Sequence, residues 1–251
     1  AYSATDGANT ATATRTVTVV DTTAPEILIT GLSMVTHEAG TTYSDAGATA
    51  TDLGSSVNVT TSGTVNASTV GVYTITYSAT DGTNTATATR TVNVVDTMAP
   101  VITLIGQSSV VHEAGEAYKD LGASAVDMGD EEVKVEASGV VLASTPGDYA
   151  ISYTAVDSSG NKAKNLERKV KVVDTTAPVI ALMGSAVMNI EVGQTYVELG
   201  SNAKDSLDGD ITELVKITGA VNANQVGEYQ LRYNVSDNAG NEAQELIRTV
   251  V

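Results

Sequence analysis

The sequence repeats itself at long range. Residues 2–25 match residues 77–100 at 21 of 24 positions. The motif D-T-x-A-P recurs at 21–25, 96–100 and 174–178, so the two periods are 75 and 78 residues long. Periods of this length predict a tandem array of small complete domains rather than a solenoid of short units.

The recurring motif divides the chain into four segments. We expect residues 1–21 to be the C-terminal hairpin of a preceding repeat, followed by repeat 1 (22–96), repeat 2 (97–174) and repeat 3 (175–251). An arginine precedes the linker aspartate by six residues in the first three segments, whereas Arg248 is followed by only three residues. We therefore expect the chain to be part of a longer array of repeats.

The composition excludes several classes of function. The net charge is −17, with 30 acidic and 13 basic residues. This charge argues against nucleic acid and anionic membrane surfaces as partners, and no run of residues predicts membrane insertion. Cysteine is absent, and repeats of about 75 residues bury little core, so reinforcement from metal, domain contacts or strand exchange is expected.

Alternation of apolar residues predicts strands throughout. In repeat 2, Tyr149, Ile151, Tyr153 and Ala155 occupy every second position, and the same pattern recurs at 73–79 and 229–235. Turn signals such as D-G-T-N and D-N-A-G-N separate the last two strands of a repeat. About seven short strands per repeat predict an all-β chain of tandem immunoglobulin-like antiparallel β-sandwiches.

Several motifs together resemble a known family. The frame A-P-x-I-x-L-x-G, E-x-G, Y-x-[DE]-x-G-A, A-x-D, Y-x-x-x-Y, D-x-x-G-N and R-x-V-x-V-V-D is similar to the bacterial surface Ig-like repeat. That repeat occurs in large adhesins and some pesticidal crystal toxins, and it is similar to hyalin-type repeats. The resemblance implies a non-enzymatic spacer or adhesion module outside the cell, on a bacterial surface or secreted.

Acidic residues are predicted to gather where consecutive repeats meet. In a sandwich of this connectivity the incoming linker, one inter-strand loop and the last hairpin turn share one end of the domain. The aspartates expected there are Asp21, Asp52 and Asp81; Asp96, Asp127 and Asp157; and Asp174, Asp205 and Asp237. Acids expected at or near the opposite end, facing the next repeat, are Glu38, Glu113 and Glu191 with Asp45, Asp120 and Glu198.

Clustered carboxylates predict a hard divalent cation at each joint. Ca²⁺ accepts six to eight oxygen ligands in irregular geometry, and the arrangement is analogous to cadherin joints. Asp130, Asp208 and Asp210 enrich repeats 2 and 3, so the joint of repeat 1 is expected to bind more weakly. The competing interpretation is that these aspartates only cap turns and keep the surface soluble.

Catalysis is not predicted. His37 and His112 lie in H-E-A-G, without a second histidine, and the aligned residue of repeat 3 is Ile190. We therefore expect a stalk segment of an adhesin, whose partners are its neighbouring repeats. Two alternatives remain open: a filament or matrix subunit that exchanges strands with other copies, and a carbohydrate- or receptor-binding module. A threonine ladder at 85–91 is not kept in repeats 2 and 3, which weakens the last alternative.

Overall fold

The computed structural model describes residues 1–130 and 132–251. It contains two compact units. The first comprises Ala1–Met98 and a short segment that begins at Asp127, and the second comprises Ala99–Val126 and Glu132–Val251. In the described part of the chain no helix is long or apolar enough to cross a membrane.

The first unit begins with an exposed hairpin and continues with repeat 1. The hairpin pairs β1 (Tyr2–Thr5) with β2 (Thr10–Ala13) and buries none of its residues. Repeat 1 forms the sheets β3-β5-β6 and β4-β9-β8-β7. Its strands are β3 (Glu26–Ile29), β4 (Met34–Glu38), β5 (Ala48–Asp52), β6 (Ser55–Val57), β7 (Val59–Ser62), β8 (Gly71–Thr80) and β9 (Thr85–Val95).

The second unit contains most of repeat 2 and all of repeat 3. Repeat 2 forms the sheets β10-β12 and β11-β15-β14-β13. Its strands are β10 (Val101–Leu104), β11 (Ser109–Glu113), β12 (Ala123–Val126), β13 (Val135–Ser138), β14 (Gly147–Ala155) and β15 (Leu166–Val173).

Repeat 3 has the same two-sheet plan. Its sheets are β16-β18-β19 and β17-β22-β21-β20. Its elements are β16 (Val179–Leu182), β17 (Val187–Met188), β18 (Ser201–Asp205), β19 (Gly209–Asp210), a 3₁₀ turn (Thr212–Leu214), β20 (Lys216–Thr218), β21 (Tyr229–Asn234) and β22 (Leu246–Val250).

The all-β immunoglobulin-like prediction is confirmed, with one difference in each repeat. The first two strands of a repeat belong to different sheets, because the chain crosses between sheets after the first strand. The second strand consequently lies beside the last strand and runs parallel to it, as β11 does with β15. The other strand pairs of the described repeats are antiparallel.

The alternating residues face the core as predicted. Ile151, Tyr153 and Ala155 are buried on β14, and Val170 and Val172 are buried on β15. Ile102 of β10, in the other sheet, packs in the same cluster as Ile151 and Tyr153. The sandwich of repeat 2 therefore closes over side chains from both sheets, at roughly 25 cal/mol per Å² of apolar surface removed from water.

A buried arginine lies in the core of each repeat. Arg168, 1% exposed, continues the inward face of β15 and binds the carboxylate of Asp120. Its Nη2 donates to the carbonyl oxygens of Ile105 at 2.6 Å and Gly122 at 3.1 Å. The Tyr153 hydroxyl donates to Asp120 Oδ2 at 2.6 Å, so the charged pair is enclosed by hydrogen bonds.

This network corrects the predicted role of three acids. Asp45, Asp120 and Glu198 were expected near a metal site, but each pairs with the buried arginine of its own repeat: Arg90, Arg168 and Arg248 respectively. Asp120 also accepts from the Gly122 N–H at 2.8 Å. Since these oxygens already bind donors inside the domain, the three acids stabilise the fold.

Candidate metal sites

Three aspartates converge in the described residues of every repeat. One carboxylate oxygen from each member of a group lies within 4.8 Å of the others. The three groups are Asp21, Asp52 and Asp81 in repeat 1; Asp96, Asp127 and Asp130 in repeat 2; and Asp174, Asp205 and Asp237 in repeat 3.

The fold explains why residues so far apart in sequence meet in repeat 3. Asp174 begins the linker that leads into β16, and Asp205 is the last residue of β18. Asp237 lies in the turn between β21 and β22, where its N–H donates to the carbonyl of Asn241. All three positions lie at the same end of the sandwich, as the connectivity predicts.

Repeat 2 uses an aspartate that the sequence had marked only as an enrichment. Asp130 joins Asp96 and Asp127 in the first unit. Asp157, which was expected in this group, belongs to the second unit, where it is buried and its Oδ1 accepts from the Asn161 N–H at 2.7 Å.

The group in repeat 3 contains a buried oxygen that has no donor among the described residues. Asp205 is 2% exposed. Its Oδ1 accepts from the N–H of Leu207 at 2.7 Å and of Asp208 at 2.9 Å, as in an Asx-turn. Its Oδ2 is enclosed without a hydrogen bond. Turn capping therefore explains one oxygen of Asp205 and leaves the other for a ligand.

An asparagine holds the linker against the hairpin turn. In repeat 3 the Asn241 Nδ2 donates to Asp237 Oδ2 at 2.8 Å and to the carbonyl oxygen of Asp174 at 3.2 Å. Asn84 makes the same bridge in repeat 1, from Asp81 to the carbonyl oxygens of Asp21 and Thr23. These asparagine hydrogen bonds fix the positions of the linker aspartate and the hairpin-turn aspartate in each group.

The converging charges perturb one another. Burial, with repulsion from Asp205, Asp237 and Glu113, raises the pKa of Asp174 above its usual value. Burial and the charges of Asp21 and Asp81 likewise raise the pKa of Asp52. Burial opposes ionisation of Asp205, but the N–H groups of its own turn lower its pKa overall. Asp174 and Asp52 thus carry an electrostatic cost that a bound cation would remove.

A glutamate at the end of repeat 2 grips the linker to repeat 3. Glu113 Oε1 accepts from the Thr175 N–H at 2.9 Å and the Thr176 hydroxyl at 2.7 Å. Its Oε2 accepts from the Thr175 hydroxyl at 2.7 Å. Glu38 holds Thr97 in the same way within the first unit. These two glutamates, expected as metal ligands, bind linker threonines, whereas Glu191 of repeat 3 has an exposed side chain.

Acid should weaken the hydrogen bonds between Glu113 and the linker. The hydrogen bonds from Thr175 and Thr176 lower the pKa of Glu113 to about 2 from the ordinary 4.5. Because the pKa is depressed in the folded state, the stabilisation is present above pH 4.5 and declines as the pH falls toward 2. We expect the difference in unfolding free energy between wild type and Glu113→Gln to shrink over that range, measured by urea denaturation at several pH values. A Glu191→Gln control should show no such trend, and a Glu113→Gln difference independent of pH would contradict the assignment.

The oxygen-only ligand set fits a hard cation. A Ca²⁺ ion binds oxygens at about 2.3–2.6 Å, so two of its ligands can be at most about 5 Å apart. The aspartate oxygens of each group lie within 4.8 Å of one another and so meet that condition. Asp205 Oδ2 is enclosed and has no donor among the described residues. A bound cation would give this oxygen a partner, so the residues fit such an ion.

Sequence reasoning missed two kinds of residue at these ends. The bridging asparagines are visible in D-x-x-G-N, but the sequence indicates only a turn there. From the sequence, the threonines of D-T-x-A-P serve only to mark the linkers. Their recurrence after the aspartate was a signal that each binds an equivalent glutamate of the preceding repeat.

Comparisons with known proteins agree with the repeat structure. The family model described as "Bacterial surface protein, Ig-like domain" matches residues 27–94, 102–172 and 180–251. The pesticidal crystal protein Cry22Aa of Bacillus thuringiensis is 30% identical over 202 residues, covering 74% of this chain and 26% of that protein. Hyalin of Lytechinus variegatus is 30% identical over 269 residues, covering 96% of this chain and 49% of hyalin.

Among solved structures, a protocadherin γB4 extracellular domain is 12% identical, with a TM-score of 0.34 and coverage of 91% of this chain and 51% of that one. The chain spans about a quarter of the crystal protein and about half of hyalin. The family match covers three segments that carry the same two-sheet sandwich. The chain belongs to the bacterial surface Ig-like domain family.

Proposed function

We propose that this chain is a structural spacer of an adhesion protein outside a bacterial cell, with Ca²⁺ bound at the ends of its Ig-like repeats. The observation that carries the calcium part is the group in repeat 3, where Asp174 and Asp237 converge with Asp205, whose Oδ2 is buried and has no donor among the described residues. The family match and the similarity to hyalin support the adhesion part.

The charge balance favours a bound cation in repeat 3. Two carboxylates 4.8 Å apart repel by about 3–4 kcal/mol at an effective dielectric near 20. The donors of the Asx-turn stabilise the carboxylate of Asp205, but the pKa of Asp174 stays raised by burial and by its acidic neighbours. Since the ligands are carboxylate oxygens, calcium suits the group better than the transition metals that prefer nitrogen or sulfur.

Calcium at this position would brace the linker between repeats 2 and 3. Asp174 is the first residue of the linker motif, and Thr175 and Thr176 are held by Glu113 of repeat 2. Asp205 and Asp237 belong to repeat 3. A cation shared by these three aspartates would therefore fix the linker to repeat 3 while Glu113 fixes it to repeat 2.

Calcium titration of the whole chain tests the proposal. We expect binding by isothermal titration calorimetry and a stabilisation of about 2.7 kcal/mol at a free calcium concentration one hundred times Kd. Asp205→Asn should remove the binding event of repeat 3, because the neutral amide is a weaker ligand. The control is Asp148→Asn, an exposed residue of β14. Identical titrations of the two variants, or a wild type that chelator does not affect, would contradict the calcium proposal.

A spacer should remain monomeric at any concentration used in solution. The filament alternative remains a prediction, and it is tested by sedimentation velocity over a wide range of concentrations. Growth of oligomers with concentration would favour strand exchange between copies over a spacer.

A further inference from the structure

The loop that carries Asp205 also carries an apolar side chain that packs on the preceding repeat. Leu207 lies against a buried cluster of repeat 2 formed by Ala114, Val170 and Val172. These three side chains are at most 4% exposed. We call Leu207 the plug, and we call the three residues of repeat 2 the seat.

The seat lies next to the hydrogen bonds between Glu113 and the linker. Ala114 directly follows Glu113, and its N–H donates to the carbonyl of Val173 at 2.7 Å, one residue before the linker begins. The plug therefore contacts repeat 2 beside the point where Glu113 holds Thr175. The polar and the apolar contacts between repeats 2 and 3 form one continuous patch.

The first unit contains the equivalent close approach. Met128 directly follows the candidate-site residue Asp127, and Leu207 lies two residues after Asp205. A Cβ added to Gly40, whose φ is +75°, would lie 2.3 Å from the carbonyl oxygen of Met128. Gly40 follows Ala39, which is buried and aligns with Ala114. The residue of repeat 1 that aligns with Met128 is Leu53, whose φ is +47°.

The plug and the candidate cation site share one carboxylate. Asp205 belongs to the candidate site, and its Oδ1 accepts from the backbone N–H of Leu207 at 2.7 Å, while its Oδ2 is buried without a donor among the described residues. Asp208, the next residue, accepts from the N–H and the Nδ2 of Asn238, each at 2.8 Å, and so ties the same loop to the turn that holds Asp237. The backbone that carries the plug is therefore hydrogen-bonded to Asp205 of the candidate site and, through Asp208, to the turn of Asp237.

We infer that Leu207 is a positioning residue that couples contact between the repeats to cation binding. A seated plug holds Asp205 in place for the cation, and a bound cation holds the loop so that the plug stays seated. The two effects must be equal in free energy, because coupling between binding events is reciprocal. The inference rests on the proposed calcium function, whereas the plug contact itself does not.

Substitution of the plug in the whole chain tests this. In Leu207→Ser we expect calcium affinity at repeat 3 to fall by roughly 5- to 50-fold, within the usual range of coupling between sites. Without calcium, amide hydrogen exchange of Thr175 and Thr176 should become faster, because the linker is less restrained. Leu207→Met should keep both properties, since repeat 2 has methionine at the aligned position.

The matched control is Leu214→Ser. Leu214 is another leucine of repeat 3, half exposed and in the 3₁₀ turn. If the wild type binds calcium and Leu207→Ser keeps its affinity and exchange rates, or changes them no more than Leu214→Ser does, the coupling is overturned while the calcium function stands. If the wild type binds no calcium, the proposed function fails and the coupling fails with it.

Discussion

Replacing Arg168 with methionine is expected to destabilise repeat 2 by about 3–5 kcal/mol. The change leaves the Asp120 carboxylate, which is only 24% exposed, without its positive partner. It also removes the donors to the carbonyl oxygens of Ile105, Gln107 and Gly122. Hydrogen exchange read on β14 and β15 measures the effect, because the destabilisation should be confined to the repeat that carries the substitution.

The double variant Arg168→Met/Asp120→Leu separates the cost of an unpaired buried charge from the cost of losing the arginine side chain. An apolar pair of similar volume often replaces a buried ion pair at little cost, so the double variant should recover part of the stability lost in Arg168→Met. A double variant as unstable as the sum of both single variants would show that the charges are not coupled. Lys134→Met serves as the control, because both side chains of its ion pair with Glu136 are more than 70% exposed.

Replacing Gly139 with alanine is expected to cost about 2–5 kcal/mol in the same repeat. The new Cβ would lie 2.3 Å from the carbonyl oxygen of Ala150 and 3.3 Å from the Cα of Ile151, so backbone must move. Crowding of a packed interior costs about 1–3 kcal/mol. The φ of +112° adds about 1–2 kcal/mol for a residue with a side chain.

Gly160 provides the control for the conformational part of that cost. Its φ is +93°, but an added Cβ would meet nothing within 4 Å. Gly160→Ala should therefore cost only about 1–2 kcal/mol. Urea denaturation of both variants gives the comparison, and equal losses would mean that the close contact at Gly139 contributes nothing.

The strands were predictable because their information is local. Tyr149 to Ala155 alternate in the sequence, and the alternation directly gives the buried face of β14. The same rule places Arg168 inside with Val170 and Val172, so its burial could have been found. Its partner could not be found in this way, because Asp120 is 48 residues away and their pairing depends on how the two sheets meet.

The candidate sites were predictable in outline for a topological reason. Alternating strand directions bring Asp174, Asp205 and Asp237 to one end without any knowledge of side-chain contacts. The roles of Glu113 and Asp120 were wrong in detail because strand pattern assigns an acid to an end of the sandwich but cannot say which donors are there. Threonine hydroxyls bind Glu113, and a guanidinium binds Asp120.

The parallel pairing of β11 with β15 has a mechanical consequence. These neighbouring strands run in the same direction over five residue pairs, from Ser109 with Lys169 to Glu113 with Val173. Tension applied through the chain on either side of repeat 2 would slide one strand along the other. The hydrogen bonds between them would then be loaded in shear and would have to break together, which gives the repeat resistance to pulling that an unzipping hairpin lacks.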